Sequence, residues 1–209
     1  MAARVLIATR SAAKARELRE LLEIPGLELV SLDELAIAGE IPEDGQTFDE
    51  NAVKKALGYA RLAGLPAIAD DSGLEVDALD GAPGLRTRRF AGPDASDEEN
   101  NAHLLRLLEG VPPEQRTARY RCTLALAEQP VAGAVIATPR LSHGTLEGHI
   151  ALSPRGRGGF GYDPIFEPEG EPSGGRTLAE YSPAAKNRIS HRGRAARAMR
   201  PELERWIGR

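Results

Sequence analysis

Two adjacent carboxylates, Asp70 and Asp71, follow a short apolar stretch and precede Ser72 and Gly73. The apolar residues 67–69 predict a short buried strand that ends in a turn at this point. Ligands of α/β sheets bind at the carboxyl ends of strands, and oxygen ligands are those that Mg²⁺ prefers. Because side chains alternate along a strand, one carboxylate can be structural while the other faces a cleft. The alternative is a solvated turn, which these residue types also favour.

A polar loop near the N-terminus is a candidate phosphate site. Apolar residues 5–8 predict a strand, and leucines at helical spacing predict a helix that begins close to Lys14. The start of a helix presents backbone N–H groups and the positive end of the helix dipole, so it suits a phosphate. The glycines of a P-loop are missing, and an ordinary exposed lysine is therefore the alternative interpretation.

Residues 155–164 place four glycines around Phe160 and Tyr162. Glycine lets the backbone approach a ligand closely. An aromatic side chain on such a loop can stack on a flat base, which is worth ~1–3 kcal/mol in nucleic-acid systems. The alternative is a flexible surface loop, but two bulky aromatic residues within a glycine run favour a binding site.

The C-terminal region is basic although the chain as a whole is acidic, with a net charge of −4. Residues 186–200 contain no acid and six basic residues, which are Lys186, Arg188, Arg192, Arg194, Arg197 and Arg200. Ser182 with Pro183, and Ser190 further on, predict two successive helix starts. Lys186, His191 and Arg192 would then lie near helix starts, where anions bind. A local positive field of this kind suggests a phosphate-bearing ligand, and a solvated helix face is the alternative.

The bulk composition excludes several classes of protein. With 209 residues, 41% hydrophobic and 28% charged, the chain suits a globular protein of one domain or two packed lobes. A single cysteine, Cys122, excludes an internal disulfide and is expected to be a packed core thiol in a reducing cytosol. The sequence has neither a signal-peptide pattern nor an apolar run of ~20 residues, so we expect a cytoplasmic protein without a membrane span. The negative net charge argues against nucleic-acid binding.

The remaining patterns predict an α/β protein with a mixed sheet. Thr47 with Glu50, and Ser96 with Glu99, fit capping boxes that open two further helices. Alternating residues predict a half-buried strand at 74–79, strands at 119–126 and 131–138 joined as a hairpin, and a weak strand at 146–152. Because this middle region is rich in strands, a mixed sheet is favoured over a fully parallel one.

Taken together, these segments resemble the inosine triphosphate pyrophosphatase family. The segments that carry the resemblance occur in order over nearly the whole chain and read VLIATRSAAKARELRELL, EDGQTFDENAVKKA, PAIADDSGLEVDALDGAPG, GGFGYDPIF and SPAAKNRISHRGRA. Each one is a weak signal, whereas five in order are very specific. One position departs from the family pattern: Ser11 stands where the Thr-x-Asn-x-x-Lys loop usually has asparagine, which puts the individual role of this residue in doubt.

The resemblance implies a fold and an activity. The fold would be one α/β domain over residues 1–209, with an elongated mixed sheet flanked by helices and a cleft between two lobes, usually as a homodimer. The activity would be Mg²⁺-dependent hydrolysis of the α–β phosphoanhydride of ITP, dITP or XTP, which yields a nucleoside monophosphate and pyrophosphate. Such a reaction clears deaminated purines from the nucleotide pool.

The resemblance also assigns roles to residues of this chain. Asp71 would ligate the metal and accept the proton of the attacking water, and Glu43 would be the second metal ligand, with Asp44 and Glu40 as competitors. Residues that would hold phosphates are Thr9, Arg10, Ser11, Ala12, Ala13, Lys14 and Ser72. Phe160 would stack on the purine, and Gly161, Tyr162 and Asp163 would shape that wall. Lys186, His191 and Arg192 carry donors that could meet a 6-keto oxygen.

Three other functions compete with this interpretation. A pyrophosphatase for modified pyrimidine nucleotides would use the same chemistry on a different base. A non-catalytic nucleotide sensor would bind without turnover, but carboxylates beside phosphate would gain it little. A nucleic-acid-binding protein that uses the arginine-rich tail would show steep salt dependence.

Overall fold

The computed structural model describes residues 2–129, 137–171 and 174–208. In these residues one sheet has the strand order β2-β1-β3-β4-β5-β6. Strand β1 runs parallel to β2 and β3, whereas β5 and β6 are antiparallel. The predicted α/β class with a mixed sheet is therefore confirmed. The strands are β1 (Ala3–Ile7), β2 (Leu27–Ser31), β3 (Ala67–Val76), β4 (Thr117–Ala127), β5 (Arg140–Ile150) and β6 (Phe166–Pro168).

Local capping chemistry sets the helix starts where the sequence predicts them. The hydroxyls of Thr47, Ser96 and Ser182 each accept a backbone N–H in the first turn of the helix that follows. The Ser96–Glu99 capping box is complete, whereas the Glu50 carboxylate accepts the N–H of Gln46, one residue before the N-cap. The helices are α1 (Ala12–Leu21), α2 (Phe48–Ala63), α3 (Asp97–Leu107), α4 (Pro183–Ile189) and α5 (His191–Ile207).

The strand predictions need correction at three places. The turn predicted at residues 70–73 is wrong, because β3 continues through both carboxylates to Val76, and a 3-10 helix at Asp77–Leu79 replaces the end of the next predicted strand. Charged partners from distant parts of the chain neutralise the carboxylates, so tertiary contacts override the turn propensity of Asp and Gly. Residues 146–150 of the weak strand predicted at 146–152 belong to the longer β5, which ends at Ile150. Most of the strand predicted at 131–138 lies outside the described residues.

The described residues divide into two compact units. Unit 1 comprises the described parts of Met1–Asp71, Cys122–Gly144 and Arg192–Arg209, and two apolar clusters form its core. Unit 2 comprises the described parts of Ser72–Arg121 and Thr145–His191, and its core includes Leu104, Tyr120 and Phe166. Cys122 is buried in the first core, and burial raises the pKa of its thiol. In the described part of the chain, no helix has the length and apolar character needed to cross a membrane.

Candidate functional site

The loop between β1 and α1 is tied together by its own side chains. The Thr9 hydroxyl accepts the N–H of Ser11 at 3.2 Å, and the Ser11 hydroxyl accepts the N–H of Lys14 at 3.4 Å. Ser11 is thereby the N-cap of α1, and Ala12 and Ala13 form the first residues of the helix. The first turn of a helix presents N–H groups that have no partner within the helix, so this loop can receive an anion.

Arg10 of the same loop is engaged with a neighbouring segment. Its Nη2 donates to the carbonyl oxygens of Ile37 at 2.6 Å and Gly39 at 2.8 Å, and Nη1 lies 3.8 Å from Asp33 Oδ1. We call residues 33–45, which include Glu43, the acidic loop; the Arg10 side chain holds this loop at residues 33–39.

Asp70 is the centre of a buried group of charges. Its Oδ1 lies 2.9 Å from Lys14 Nζ, and its Oδ2 accepts from Nε and Nη2 of Arg192 at 3.1 and 3.0 Å. Arg192 also donates from Nη1 to Glu17 at 2.6 Å. Asp70 and Arg192 are each only 1% exposed. The structure thus places two predicted ligand-binding residues, Lys14 and Arg192, on one carboxylate within unit 1.

The charge on Asp70 is stable because cations surround it. Burial alone would raise the pKa of Asp70, but the charges of Lys14, Arg192 and Lys55 hold it well below its usual value. The carboxylate therefore stays ionised and fixes Lys14 in the first turn of α1. This is the structural member of the adjacent pair.

Asp71 meets different partners from its neighbour, as alternation along a strand requires. Its Oδ1 accepts from Lys55 Nζ at 2.8 Å, and its Oδ2 accepts from Asn51 Nδ2 at 3.3 Å. Burial is the main cause that raises the pKa of Asp71, and the Glu43 carboxylate adds to it, whereas Lys55 opposes it. A carboxylate with a raised pKa accepts a proton more readily than an ordinary aspartate, which is what a general base needs.

Glu43, the predicted second metal ligand, shares a partner with Asp71. Glu43 Oε1 lies 3.4 Å from the same Lys55 Nζ. Asp44 pairs with Lys54 at 2.8 Å on the exposed surface, and Glu40 is exposed. The described residues include no group of three or more His, Cys, Asp or Glu side chains that could hold a metal. A pair of carboxylates fits Mg²⁺, which is usually bound by one or two carboxylates together with substrate phosphates.

We call residues Glu17, Glu43, Asp70, Asp71, Lys14, Lys55 and Arg192 the charge cluster. Lys55 and Asn51 were missed by the sequence analysis. The two residues lie one helical turn apart on α2, so they share a face, and both are buried. The sequence carries no local signal for them, because a lysine or an asparagine within a helix is ordinary until its burial is known. Burial would lower the pKa of Lys55, but the charges of Asp71, Asp70 and Glu43 raise it overall.

In unit 2, residues 155–164 form a segment that we call the aromatic loop. Gly159 and Gly161 have φ values of +70° and +62°, a region that favours glycine. The carboxylate of Asp163 accepts the N–H of Phe160 at 2.9 Å, and a Cβ on Gly159 would collide with that carboxylate. Tyr162 is buried, and its hydroxyl donates to the carbonyl of Thr87 at 2.8 Å. Burial raises the pKa of Tyr162, so the hydroxyl stays a donor.

Two of the side chains predicted to bind the base also lie in unit 2. Lys186 Nζ lies 2.6 Å from Asp163 Oδ2 and 4.6 Å from the centre of the Phe160 ring, so it joins the aromatic loop through an ion pair and a cation–π contact. His191 is buried and stacks on Tyr120, with ring centres 4.5 Å apart and planes inclined by 8°. Ser72, which follows Asp71 in β3, is partly buried.

The aromatic loop has a second set of polar contacts, with α3, that the sequence analysis missed. The backbone N–H of Gly161 donates to Asp97 Oδ2 at 2.6 Å, and Asn101 Nδ2 donates to the carbonyl oxygen of Gly161 at 3.0 Å. Asp97 and Asn101 are four residues apart and so share one face of the helix. The sequence predicts only the capping box of this helix, and nothing local marks Asp97 or Asn101 as a partner of residue 161.

Comparisons with known proteins find relatives of this chain both by sequence and by structure. A sequence profile described as the Ham1 family matches residues 5–202. A relative from Geobacter sulfurreducens named dITP/XTP pyrophosphatase is 48% identical over 205 residues, which cover 98% of each chain. The solved structure of a HAM1 protein from Coxiella burnetii superposes with a TM-score of 0.83 at 41% identity, covering 97% of this chain and 99% of the other. A dITP/XTP pyrophosphatase structure from Mycobacterium abscessus gives 0.71 at 41% identity, covering 95% and 99%. The resemblance found in the sequence is confirmed, and the chain belongs to the Ham1 family.

Proposed function

We propose that this protein hydrolyses deaminated purine nucleoside triphosphates, namely ITP, dITP and XTP, to the nucleoside monophosphate and pyrophosphate. The observation that carries the proposal is the geometry of Asp71, a buried carboxylate of raised pKa that contacts Lys55. The adjacent Asp70 meanwhile holds Lys14 at the start of α1. Relatives that share about half of this sequence are named dITP/XTP pyrophosphatases, which supports the same activity.

The loop at residues 9–14 is proposed to hold the phosphates. A triphosphate carries about four negative charges near neutral pH, so its binding needs donors and cations together. The start of α1 supplies N–H groups, Thr9 and Ser11 supply hydroxyls, and Lys14 supplies a full charge that Asp70 keeps in place. Ser72 would add a hydroxyl from the residue after Asp71. Arg10, which braces the acidic loop, would act mainly through that loop.

Asp71 and Glu43 are proposed to hold Mg²⁺. Their oxygens face the same Lys55 ammonium group, so the two side chains already converge on one cationic centre. When bound, Mg²⁺ would neutralise phosphate charge and polarise the phosphorus under attack. The residues of the chain contribute the oxygen ligands and, through Lys55, a fixed positive charge beside them.

Asp71 is proposed to accept the proton of the attacking water. The water oxygen forms a bond to the α-phosphorus, its proton passes to an Asp71 carboxylate oxygen, and the bond from the α-phosphorus to the bridging oxygen breaks. Pyrophosphate leaves with the bonding electron pair and with the bridging oxygen. The raised pKa of Asp71 suits this role, because the driving force for proton transfer increases with the basicity of the acceptor.

Base selection is proposed for Phe160, Lys186, His191 and Arg192. Phe160 would stack on the purine, and the three cationic or imidazole side chains would provide donors for a 6-keto oxygen. Adenine has a 6-amino donor at that position and would leave such groups unpaired. Unpaired buried groups of this kind can lower kcat/KM for the wrong substrate by ~10⁴-fold or more. Guanine shares the keto oxygen, so its exclusion must depend on its 2-amino group.

We further propose a cytoplasmic homodimer that binds neither nucleic acid nor membranes. The single buried cysteine and the net charge of −4 support the location and the absence of nucleic-acid binding. The dimer is implied by the family resemblance. Light scattering on a size-exclusion column would measure a mass of twice 22.4 kDa for the dimer.

A nucleotide panel tests the proposal. Wild-type protein with Mg²⁺ is given ITP, dITP, XTP, ATP, GTP and modified pyrimidine triphosphates, and pyrophosphate and orthophosphate are measured separately. We expect pyrophosphate from the deaminated purines and little from ATP or GTP. Preference for a pyrimidine would favour the pyrimidine enzyme, and tight binding of ITP without turnover over hours would favour a sensor. Release of orthophosphate alone would contradict the bond that we assign.

A further inference from the structure

We propose that Asp97 and Asn101 of α3 are positioning residues that set the orientation of the Phe160 ring, and with it the affinity for the purine base. The proposal rests on the function proposed above, in which Phe160 stacks on the base. Neither residue needs to touch the nucleotide, because both act through the backbone of Gly161.

The hydrogen bonds with Asp97 and Asn101 engage the two peptide groups on either side of Gly161. The N–H that Asp97 accepts belongs to the peptide between Phe160 and Gly161, and the carbonyl that Asn101 binds belongs to the peptide between Gly161 and Tyr162. Gly161 has a φ of +62°, and glycine is the residue with the greatest backbone freedom. Two hydrogen bonds therefore restrict the dihedral angles at the glycine that directly follows Phe160.

The chemistry of each contact suits a fixed support. Asp97 lies in the first turn of α3, where the helix dipole favours a carboxylate, and it donates no proton of its own when ionised. Asn101 is only 5% exposed, so the hydrogen bond that it donates is shielded from water.

Other contacts fix the parts of the loop that α3 does not reach. The Asp163 carboxylate binds the N–H of Phe160 and the ammonium of Lys186, which itself lies over the Phe160 ring. These contacts set the position of the ring relative to Lys186. The contacts from Asp97 and Asn101 instead set the direction in which the backbone leaves Phe160, so their loss should loosen the ring without removing Lys186.

The test compares four single variants with the wild-type protein. Asn101→Ala and Asp97→Ala each remove one support, and Asp97→Asn keeps an acceptor oxygen in place. Ser96→Ala is the matched control, because it removes a cap from the same helix without a contact to Gly161. The measurements are kcat and KM for dITP, the ratio of kcat/KM for dITP over dATP, the melting temperature, and amide hydrogen exchange of residues 156–163.

We expect Asn101→Ala and Asp97→Ala to raise KM for dITP by about 3- to 10-fold, the range that one net hydrogen bond supplies, with a smaller change in kcat. Exchange at residues 156–163 should rise and the dITP over dATP ratio should fall. Asp97→Asn should restore most of the wild-type KM. Ser96→Ala should lower the melting temperature but leave KM and the ratio unchanged.

The proposal is overturned if Asn101→Ala and Asp97→Ala leave KM and the exchange of residues 156–163 at wild-type values, or change them no more than Ser96→Ala does. A wild-type protein that releases no pyrophosphate from any purine nucleotide would contradict the proposed function instead. In that case the exchange measurement still decides whether α3 holds the aromatic loop, because it needs no substrate.

Discussion

The charge cluster of unit 1 and the aromatic loop of unit 2 are held in place by different physics. Asp70 and Asp71 belong to a continuous strand, and their partners Lys14 and Lys55 belong to helices. Phe160, in contrast, lies on a glycine-containing loop that is held by hydrogen bonds to Asp163 and, at the next residue, by α3. The carboxylate that we propose as proton acceptor thus lies on a regular element, whereas the side chain that we propose for base selection lies on a loop.

The largest expected effect is in the charge cluster. Asp71→Asn should lower kcat for dITP by about 10³-fold or more, because it removes the carboxylate that we propose as proton acceptor and metal ligand. The matched control is Asp44→Asn, which removes an exposed carboxylate that pairs with Lys54. Steady-state pyrophosphate release from both variants is the measurement. A kcat for Asp71→Asn close to that of Asp44→Asn would remove Asp71 from its proposed role.

Asp70 should matter for stability rather than for proton transfer. Asp70→Asn leaves Lys14 and Arg192 without their buried counter-charge, so the free energy of unfolding should fall by about 3–5 kcal/mol. Because folding lowers the pKa of Asp70, its contribution is complete above the ordinary aspartate pKa and is lost as the pH falls below it. Urea unfolding should therefore show a larger difference from wild type at pH ~7 than at about pH 3. An equal difference at both pH values would contradict the ion-pair account.

The sequence predicted features that depend on neighbouring residues better than features that depend on distant ones. Helix starts at Thr47, Ser96 and Ser182 were predicted correctly, because a cap is a contact between residues three apart. The turn at residues 70–73 was wrong because Arg192, which neutralises Asp70, lies 122 residues away in the chain. Local propensity contains no information about such a partner.

The candidate site shows the same limit. The aromatic loop and the loop at residues 9–14 could be found from residue types alone, because their composition is unusual. Lys55 could not, because a lysine within a helix is ordinary until burial is known. Asn101 could not, because its partner Gly161 is 60 residues away and the contact is made to backbone.

A substitution in the aromatic loop should change the affinity for dITP more than it changes kcat. Phe160→Ala should raise KM for dITP about 10-fold or somewhat more, the effect of losing one base–aromatic stack, with a smaller fall in kcat. Phe160→Tyr keeps the aromatic face and should retain most of the affinity. Steady-state kinetics with dITP measures both variants. If Phe160→Ala lowered kcat and left KM unchanged, the aromatic loop would not differ from the charge cluster in the way we propose.

The smallest changes in KM and in the free energy of unfolding are expected at Ser11. This residue lies in unit 1, as the charge cluster does, but on the loop before α1. Ser11→Asn introduces the residue usual in the family and keeps a good N-cap, so the free energy of unfolding should change by less than about 0.5 kcal/mol. An amide also offers donors with a longer reach to phosphate, so KM for dITP should fall by a few-fold. Thermal unfolding and steady-state kinetics give the two values. A rise in KM would indicate that Ser11 itself is the better phosphate ligand in this chain.

The identity of the products tests the central claim most directly. Wild-type protein is incubated with dITP and Mg²⁺, and the phosphorus species are followed by ³¹P NMR. Hydrolysis of the α–β phosphoanhydride predicts deoxyinosine monophosphate and pyrophosphate in equal amounts, without orthophosphate. Deoxyinosine diphosphate together with orthophosphate would contradict it.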